Sequence, residues 1–407
     1  MTETTTTPRT PWGLVILLGA MTAMGAMSID LYLPSLPSIG ASLHATPSET
    51  QATVAAFLAG MAIGQTIYGP ASDRLGRRPP LLLGIAIYVV ASVVCAMATS
   101  PSVLIAGRFV EALGACSGAV IARAAVRDQF DHTETARILS FLLLIMGMAP
   151  ILAPTVGGIL VMIGSWRLNF WVMTAFGLAV GAATFFRMRE TRSAETESQA
   201  RQEHPLRSYV ALLSQSRLIG YTLCSALNGA TLFAYIAESP SLFIKTYGVP
   251  PWAFGVLFSI NAVGLIGGGQ INRQLLRRRT PDQVLARASL IAVSFAVVFL
   301  IIALTGFGGR WTVLPLLFCL VATYGFMQGN AMAGALNVDP RRAGSISALM
   351  GGGSFGVGAI AAAGAGMLHD GTVRPMAVLM FLSLAGSALA THFLALPKGS
   401  LRARIGA

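Results

Sequence analysis

The chain has 407 residues, of which 54% are hydrophobic and only 11% charged, with a mean hydropathy of +0.69. Soluble domains carry about 25% charged residues, so a soluble chain of this length would lack the polar surface to cover itself, and the composition fits a polytopic membrane protein. A formal net charge of +12 would suggest nucleic acid in a soluble protein; here the basic residues follow membrane topology, and no nucleic-acid partner is expected.

In chain order, charge-free windows run over roughly 12–29, 50–72, 79–107, 138–166, 168–186, 218–237, 246–272, 288–309, 311–338, 343–368 and 375–397, and nearly all reach the ~20 residues an apolar helix needs to cross a bilayer. A twelfth, 102–123, is apolar apart from Arg108, Glu111 and a terminal Arg123. The 79–107 window splits at "ATSPS" (98–102) into the end of helix 3 and the start of helix 4. Twelve spanning helices are therefore predicted. With a cytoplasmic N-terminus, twelve crossings return the C-terminus to the same side. All but five of the 28 Lys and Arg then lie inside, among them Arg9, Arg201, Lys398, Arg402 and Arg404. Arg167, Lys245, Arg310 and Arg374 lie outside, and Arg108 lies within a span. This is a strong positive-inside signal.

The polar start "MTETTTTPRT" precedes a first helix too long for a signal-peptide core, so that helix is expected to remain as a span. Near its end, "SIDLYLPSLP" (28–37) places Asp30 in an otherwise apolar stretch closed by two prolines. The loop after helix 2, "GPASDRLGRRP", holds Gly69 and Gly76 for a tight turn and close helix approach. Arg74, Arg77 and Arg78 keep that loop inside, and Asp73 can pair with them or with a helix N-terminus. In helix 4, Arg108 and Glu111 are three apart and share a face. Intramembrane charges are functional hypotheses by default; the alternative is a salt bridge that only stabilises packing. Helix 5 reads "MGMAPILAPTVGGIL", where Pro150 and Pro154 each remove a helical hydrogen bond and Gly157 and Gly158 thin the helix. Residues 187–217 form the one long polar stretch, a linker between two six-helix halves, 1–186 and 218–407. Helix 7 carries Glu238 before a Ser-Pro.

Internal echoes support two related halves. Gly69 and Asp73-Arg74 recur as Gly268 and Asn272-Arg273 in "GGQINRQLLRRR", and "ARILSFL" (136–142) faintly matches "AGSISAL" (343–349). The four cysteines fall in four different spans without metal-like spacing, so neither disulfides nor zinc are expected. The five histidines are scattered, and no loop gathers a His, Cys or acid cluster for catalysis. An integral membrane enzyme, or a sensor with its usual soluble domain, is thereby disfavoured.

"GPASDRLGRR" resembles motif A of the major facilitator superfamily, and the twelve-helix plan extends the likeness over nearly the whole chain. The resemblance implies an all-α membrane protein with twelve transmembrane helices in two pseudo-symmetric six-helix bundles. It also implies that Asp73 belongs to a cytoplasmic gate whose partner is the start of helix 11, near Ser345. Arg108 through Gly114 resembles motif B, whose arginine is tied to proton coupling; Glu111 stands where that motif often has glutamine. Pro154, Gly157 and Gly158 resemble the antiporter motif C, with Ala153 replacing its usual glycine; the alternative is a kinked packing helix. "SIDLYLPSLP" resembles the end of helix 1 in Bcr/CflA-type drug exporters, and the Glu238 segment is similar to that of multidrug exporters.

At 1.5 Å per residue, Asp30 lies ~9 Å and Glu238 ~12 Å from the outer helix ends, with Arg108 at about the depth of Asp30. A proton and a substrate competing for one such acid is the physical requirement of antiport. Phe57, Met61, Met146, Phe233 and Tyr235 are candidate lining residues, methionine and aromatics being adaptable to varied apolar ligands. The expected function is proton-coupled efflux of small apolar drugs across a bacterial inner membrane by a monomer without cofactor or metal. Export of an endogenous metabolite, such as an amino acid or siderophore, is the alternative.

Overall fold

The structure, a computed structural model, describes residues 12–193, 197–198 and 205–396. Arg9, Arg201, Lys398, Arg402 and Arg404 and parts of the polar linker lie outside the described residues. Among the described residues, twelve helices are long and apolar enough to cross a membrane, and no strand occurs.

The first half runs α1 (Trp12–Asp30), α2 (Pro47–Leu75), α3 (Arg78–Ala96), α4 (Pro101–Gln129), α5 (His132–Ile163) and α6 (Arg167–Arg187). The second runs α7 (Ser216–Pro240), α8 (Pro251–Leu275), α9 (Pro281–Thr305), α10 (Arg310–Val338), α11 (Ala343–Met367) and α12 (Arg374–Leu389). A short linker helix, Pro205–Leu213, precedes α7. Polar residues between the apolar windows supply the helix starts. Thr46 with Glu49 and Thr280 with Gln283 form capping boxes, each with proline at the first helical position. Ser100 and Asp131 cap α4 and α5 with their side chains.

The sequence places the end of the first helix near Leu36, but α1 stops at Asp30. The chain passes through a 3-10 turn at Leu33–Ser35 and resumes as a helix over Leu36–Ser42. Pro34 and Pro37 cause this, because neither can donate the backbone hydrogen bond that a continuous helix needs. Asp30 therefore sits at a break rather than inside a regular span.

Packing repeats between the halves. Within the first, α1 packs on α4, α5 and α6, α2 on α4, and α3 on α4 and α6; within the second, α7 packs on α10, α11 and α12, α8 on α10, and α9 on α10 and α12. The set is the same with six added to each number. The halves meet along two seams related in the same way, α2 on α11 and α5 on α8.

Two adjacent glycines let α5 pack closely both on the end of α1 in its own half and on α8 across the seam. A Cβ on Gly157 would collide with the Leu31 carbonyl at the end of α1, and one on Gly158 with the backbone of Pro251 and Trp252. Pro150 and Pro154 lie within the same continuous helix. Gly157→Val should cost about 1–3 kcal/mol by overpacking, read as a lowered thermal midpoint in detergent. Gly267→Ala should leave the midpoint unchanged, since a Cβ there meets nothing within 4 Å.

Candidate functional site

Arg108 is fully buried in α4. One turn on, Glu111 accepts from its Nη1 at 2.6 Å. Its Nη2 donates to the Ser28 carbonyl of α1 at 2.8 Å. The guanidinium lies 4.1 Å from the ring centres of both Tyr32 and Phe57 and 5.7 Å from that of Phe170. Cation–π attraction strengthens when the pair is desolvated, so this cage and the carboxylate together compensate the buried charge. Glu111 also accepts from Ser92 Oγ at 3.0 Å, and Ser28 and Tyr88 share a hydrogen bond of 2.9 Å. The i, i+3 pairing open as the packing alternative is thus formed. Arg108 reaches α1 two residues before Asp30 but bonds its backbone, not the acid.

Asp30 is only 4% exposed and forms no hydrogen bond or ion pair with any described residue. Its charge is felt by Tyr235 on α7, in the other half. Tyr235 in turn accepts from Asn261 Nδ2 of α8 at 2.8 Å and stacks on Phe258 at 5.5 Å. An intramembrane acid without a partner is expensive, and its position against the second half means that any relative motion of the halves changes its surroundings.

The candidate lining residues occupy different environments. Phe57 is taken up in the Arg108 cage. Met61 packs over Gly25, and Phe233 over Gly358 with its ring 5.3 Å from that of Phe355. Met146 is 39% exposed and lies between Ile145, which faces Gly19 of α1, and Gly147, which faces Ile266 of α8. Tyr235 is the lining candidate that the charge of Asp30 reaches. A cavity of ≈ 390 Å³ lies elsewhere, between α2, α7, α11 and the linker helix, walled by residues such as Ile63, Thr222, Gly352 and Tyr209. Its wall carries none of the charged groups.

Glu238 lies at the end of the molecule opposite the basic loops. It accepts from Gln51 Nε2 of α2 and stands 2.6 Å from His369 Nδ1, just beyond α11. Gln51 and His369 escaped the sequence reading, since they are 187 and 131 residues away from Glu238. Only the fold brings them together.

At the basic end, Arg77 organises the loop between α2 and α3. It pairs with Asp73, donates to Asp128 of α4 at 2.7 Å and to Ser72 Oγ at 2.8 Å. Glu190, just after α6, accepts from the backbone N–H groups of Arg77, Arg78, Thr191 and Arg192 at 2.8–3.2 Å. Partial burial opposes its charge, but these four donors prevail and hold its carboxyl below the usual carboxylate range. Arg78 donates to the Phe185 carbonyl at 2.7 Å, and Arg192 to the Arg74 carbonyl at 2.6 Å. Gly76 takes φ +91°, with the Glu190 carboxylate where a Cβ would stand, so only glycine fits that turn. The start of α11 near Ser345, expected as the partner of Asp73, is not among its bonded groups. α2 and α11 pack from Gln51 against Gly366 to Gln65 against Gly351, while a Cβ on Gly69 or Gly344, nearer the basic end, meets nothing within 4 Å. The echo at Asn272 ties the matching helices of the second half, with Asn330 Nδ2 of α10 donating to Asn272 Oδ1 of α8 at 2.8 Å.

Comparison with known proteins agrees with this architecture. The model of the Major Facilitator Superfamily matches residues 16–363. The chain is 32% identical over 93% of its length to an uncharacterized MFS-type transporter, YdgK, of Bacillus subtilis, covering 94% of it. It is 30% identical over 93% of its length to a bicyclomycin resistance protein homolog of Haemophilus influenzae, covering 95% of it. Among solved structures, a D-xylose-proton symporter superposes with a TM-score of 0.74 at 12% identity, over 95% of this chain and 98% of that one.

Proposed function

The chain belongs to the major facilitator superfamily, and from that premise we propose that this multi-pass membrane protein exports small, mostly apolar drugs in exchange for protons. Residues 1–186 and 218–407 are the two moving bundles, and 187–217 links them. The protein works as a monomer in a bacterial inner membrane, with both termini cytoplasmic. Support for the drug class comes from the name of the Haemophilus influenzae relative. Support for exchange comes from Asp30, a buried acid bonded to no described residue, whose charge reaches Tyr235 of the other half. Such a group can hold a proton or face a polar substrate group, and each excludes the other. Arg108 fixes the end of α1 through Ser28, and so the place of Asp30. Asp73, with Arg74, Arg77 and Arg78, acts as the gate on the cytoplasmic side. Pro150, Pro154, Gly157 and Gly158 let α5 hold the end of α1 and its seam with α8 while the bundles rock.

The test is efflux from cells expressing the full chain, with a panel of bicyclomycin- and chloramphenicol-like drugs, with and without a protonophore. Export that collapses on adding the protonophore is expected. Undiminished export would remove proton coupling. Export of amino acids or siderophores without any drug would favour the metabolite reading.

A further inference from the structure

The stretch between α8 and α9, which echoes the loop between α2 and α3, carries Arg273, Arg277, Arg278 and Arg279, and Arg287 follows within α9. The two loops treat their arginines differently. In the first half Arg77 pairs with Asp73 and Asp128, and Arg78 donates to the Phe185 carbonyl. In the second half Asn272 stands in place of the acid, and its amide oxygen is taken up by Asn330. Asp282 is the one acid between Glu238 and Asp339. It accepts from Tyr221 at 2.6 Å and stands 3.7 Å from Arg217, both in α7. All five arginines are exposed, and none of their side chains forms a hydrogen bond or ion pair with a described residue. Five like charges are gathered here without a counter-charge from the protein.

The position of Arg287 says what kind of partner supplies one. It lies six residues beyond Pro281, the first residue of α9, or ~9 Å along the helix. Arg287 heads an exposed stripe through Leu290, Ile291, Ser294, Val298 and Ile301, whose steps of three and four keep it on one helix face. Leu285, Ala288, Ser289 and Ala292 are buried on the other side, where α9 packs on α10 and α12. The stripe is therefore the lipid-facing side of α9. A long arginine stem lies along such an apolar face while its guanidinium rises to the headgroups, and that planar fork matches phosphate oxygens two at a time.

We propose that Arg277, Arg278, Arg279 and Arg287 form a binding site for the headgroup of an anionic phospholipid of the inner leaflet. The inference rests on the cytoplasmic placement of the basic loops given above. The lipid phosphate takes the role that Asp73 and Asp128 fill in the first half. The α2–α3 loop is thereby held to protein, and the α8–α9 loop to the membrane.

The test follows the thermal midpoint of the full chain in detergent as lipid is added, since a ligand that binds only the folded form raises it. Phosphatidylglycerol should raise the midpoint, while phosphatidylcholine and inorganic phosphate at the same concentrations should not. Each basic residue at an anionic surface is worth about fivefold in affinity. Arg277→Gln/Arg278→Gln/Arg279→Gln should therefore need roughly a hundredfold more phosphatidylglycerol for the same rise, and Arg287→Gln about fivefold more. Arg127→Gln/Arg187→Gln/Arg189→Gln removes the same charge from exposed positions elsewhere and should respond like the parent. An equal loss in that control would overturn the proposal, because the attraction would then belong to the net charge of +12. A rise with inorganic phosphate as large as with phosphatidylglycerol would overturn it in favour of a free anion. An equal rise with phosphatidylcholine would overturn it in favour of an acyl-chain site. If the triple variant does not fold, Arg287→Gln still decides, because a parent-like response there overturns the proposal. The midpoint reads binding without transport, so a failed efflux assay leaves this site standing, and a failed lipid response leaves the efflux reading standing.

Discussion

Asp30→Asn is expected to lose proton-driven export of every substrate, with accumulation in cells returning to the level of cells lacking the protein. An amide has nearly the shape of the carboxyl group but cannot take up or release a proton in this range. The same variant should fold at least as well as the parent. Asp30 is buried and bonded to no described residue, so the substitution breaks no contact and removes a group whose charge is costly to bury. Those two results together separate a coupling role from a structural one. A purely structural acid would give the opposite pattern, with reduced folded protein and normal export per molecule. Export that stays normal and still collapses with a protonophore would move the coupling site elsewhere, to Glu238 or Glu111. Tyr235→Phe is the companion variant. It keeps the stack on Phe258 but loses the hydroxyl that accepts from Asn261, so it should shift substrate preference more than proton dependence.

Where the signal is local, the chain is legible. Charge-free windows mark the spans because bilayers exclude charge, and "ATSPS" separates α3 from α4 because Ser100 caps and Pro101 starts the next helix. The Asn272 echo is legible too, although its partner Asn330 is not, because the amide pair closes between helices 58 residues apart. The break at Asp30 was half visible. Pro34 and Pro37 announce it, but the apolar Leu31 and Leu33 disguise how early the helix ends. What stayed hidden depends on tertiary packing. Nothing in "FAYIAESPSLF" points to Gln51 or His369, and nothing around Arg108 points to the rings of Tyr32 and Phe170. Asp73 pairs with Arg77, and its expected contact with the start of α11 is not among its bonds. That contact depends on how far apart the halves stand at the basic end, which is a property of the conformation and not of the motif.

Arg108→Met should be the most damaging single change for folding. It leaves Glu111 buried and deprived of the guanidinium at 2.6 Å, and breaking one side of a buried pair costs about 3–5 kcal/mol. That is a large part of the ~5–15 kcal/mol by which folded proteins are stable. Little folded protein should be recovered in detergent. Arg108→Met/Glu111→Leu removes both charges at once, and apolar replacements of a buried pair are often neutral or stabilising. Folded protein should return to near the parent level. The Ser28 carbonyl, which accepts from Arg108 at 2.8 Å, loses its donor, so the end of α1 and with it Asp30 is no longer held. The rescued double variant should therefore fold but fail to export. Export restored along with folding would mean that the pair serves packing alone. Folding restored without export would assign the Arg108–Glu111 pair to the transport step.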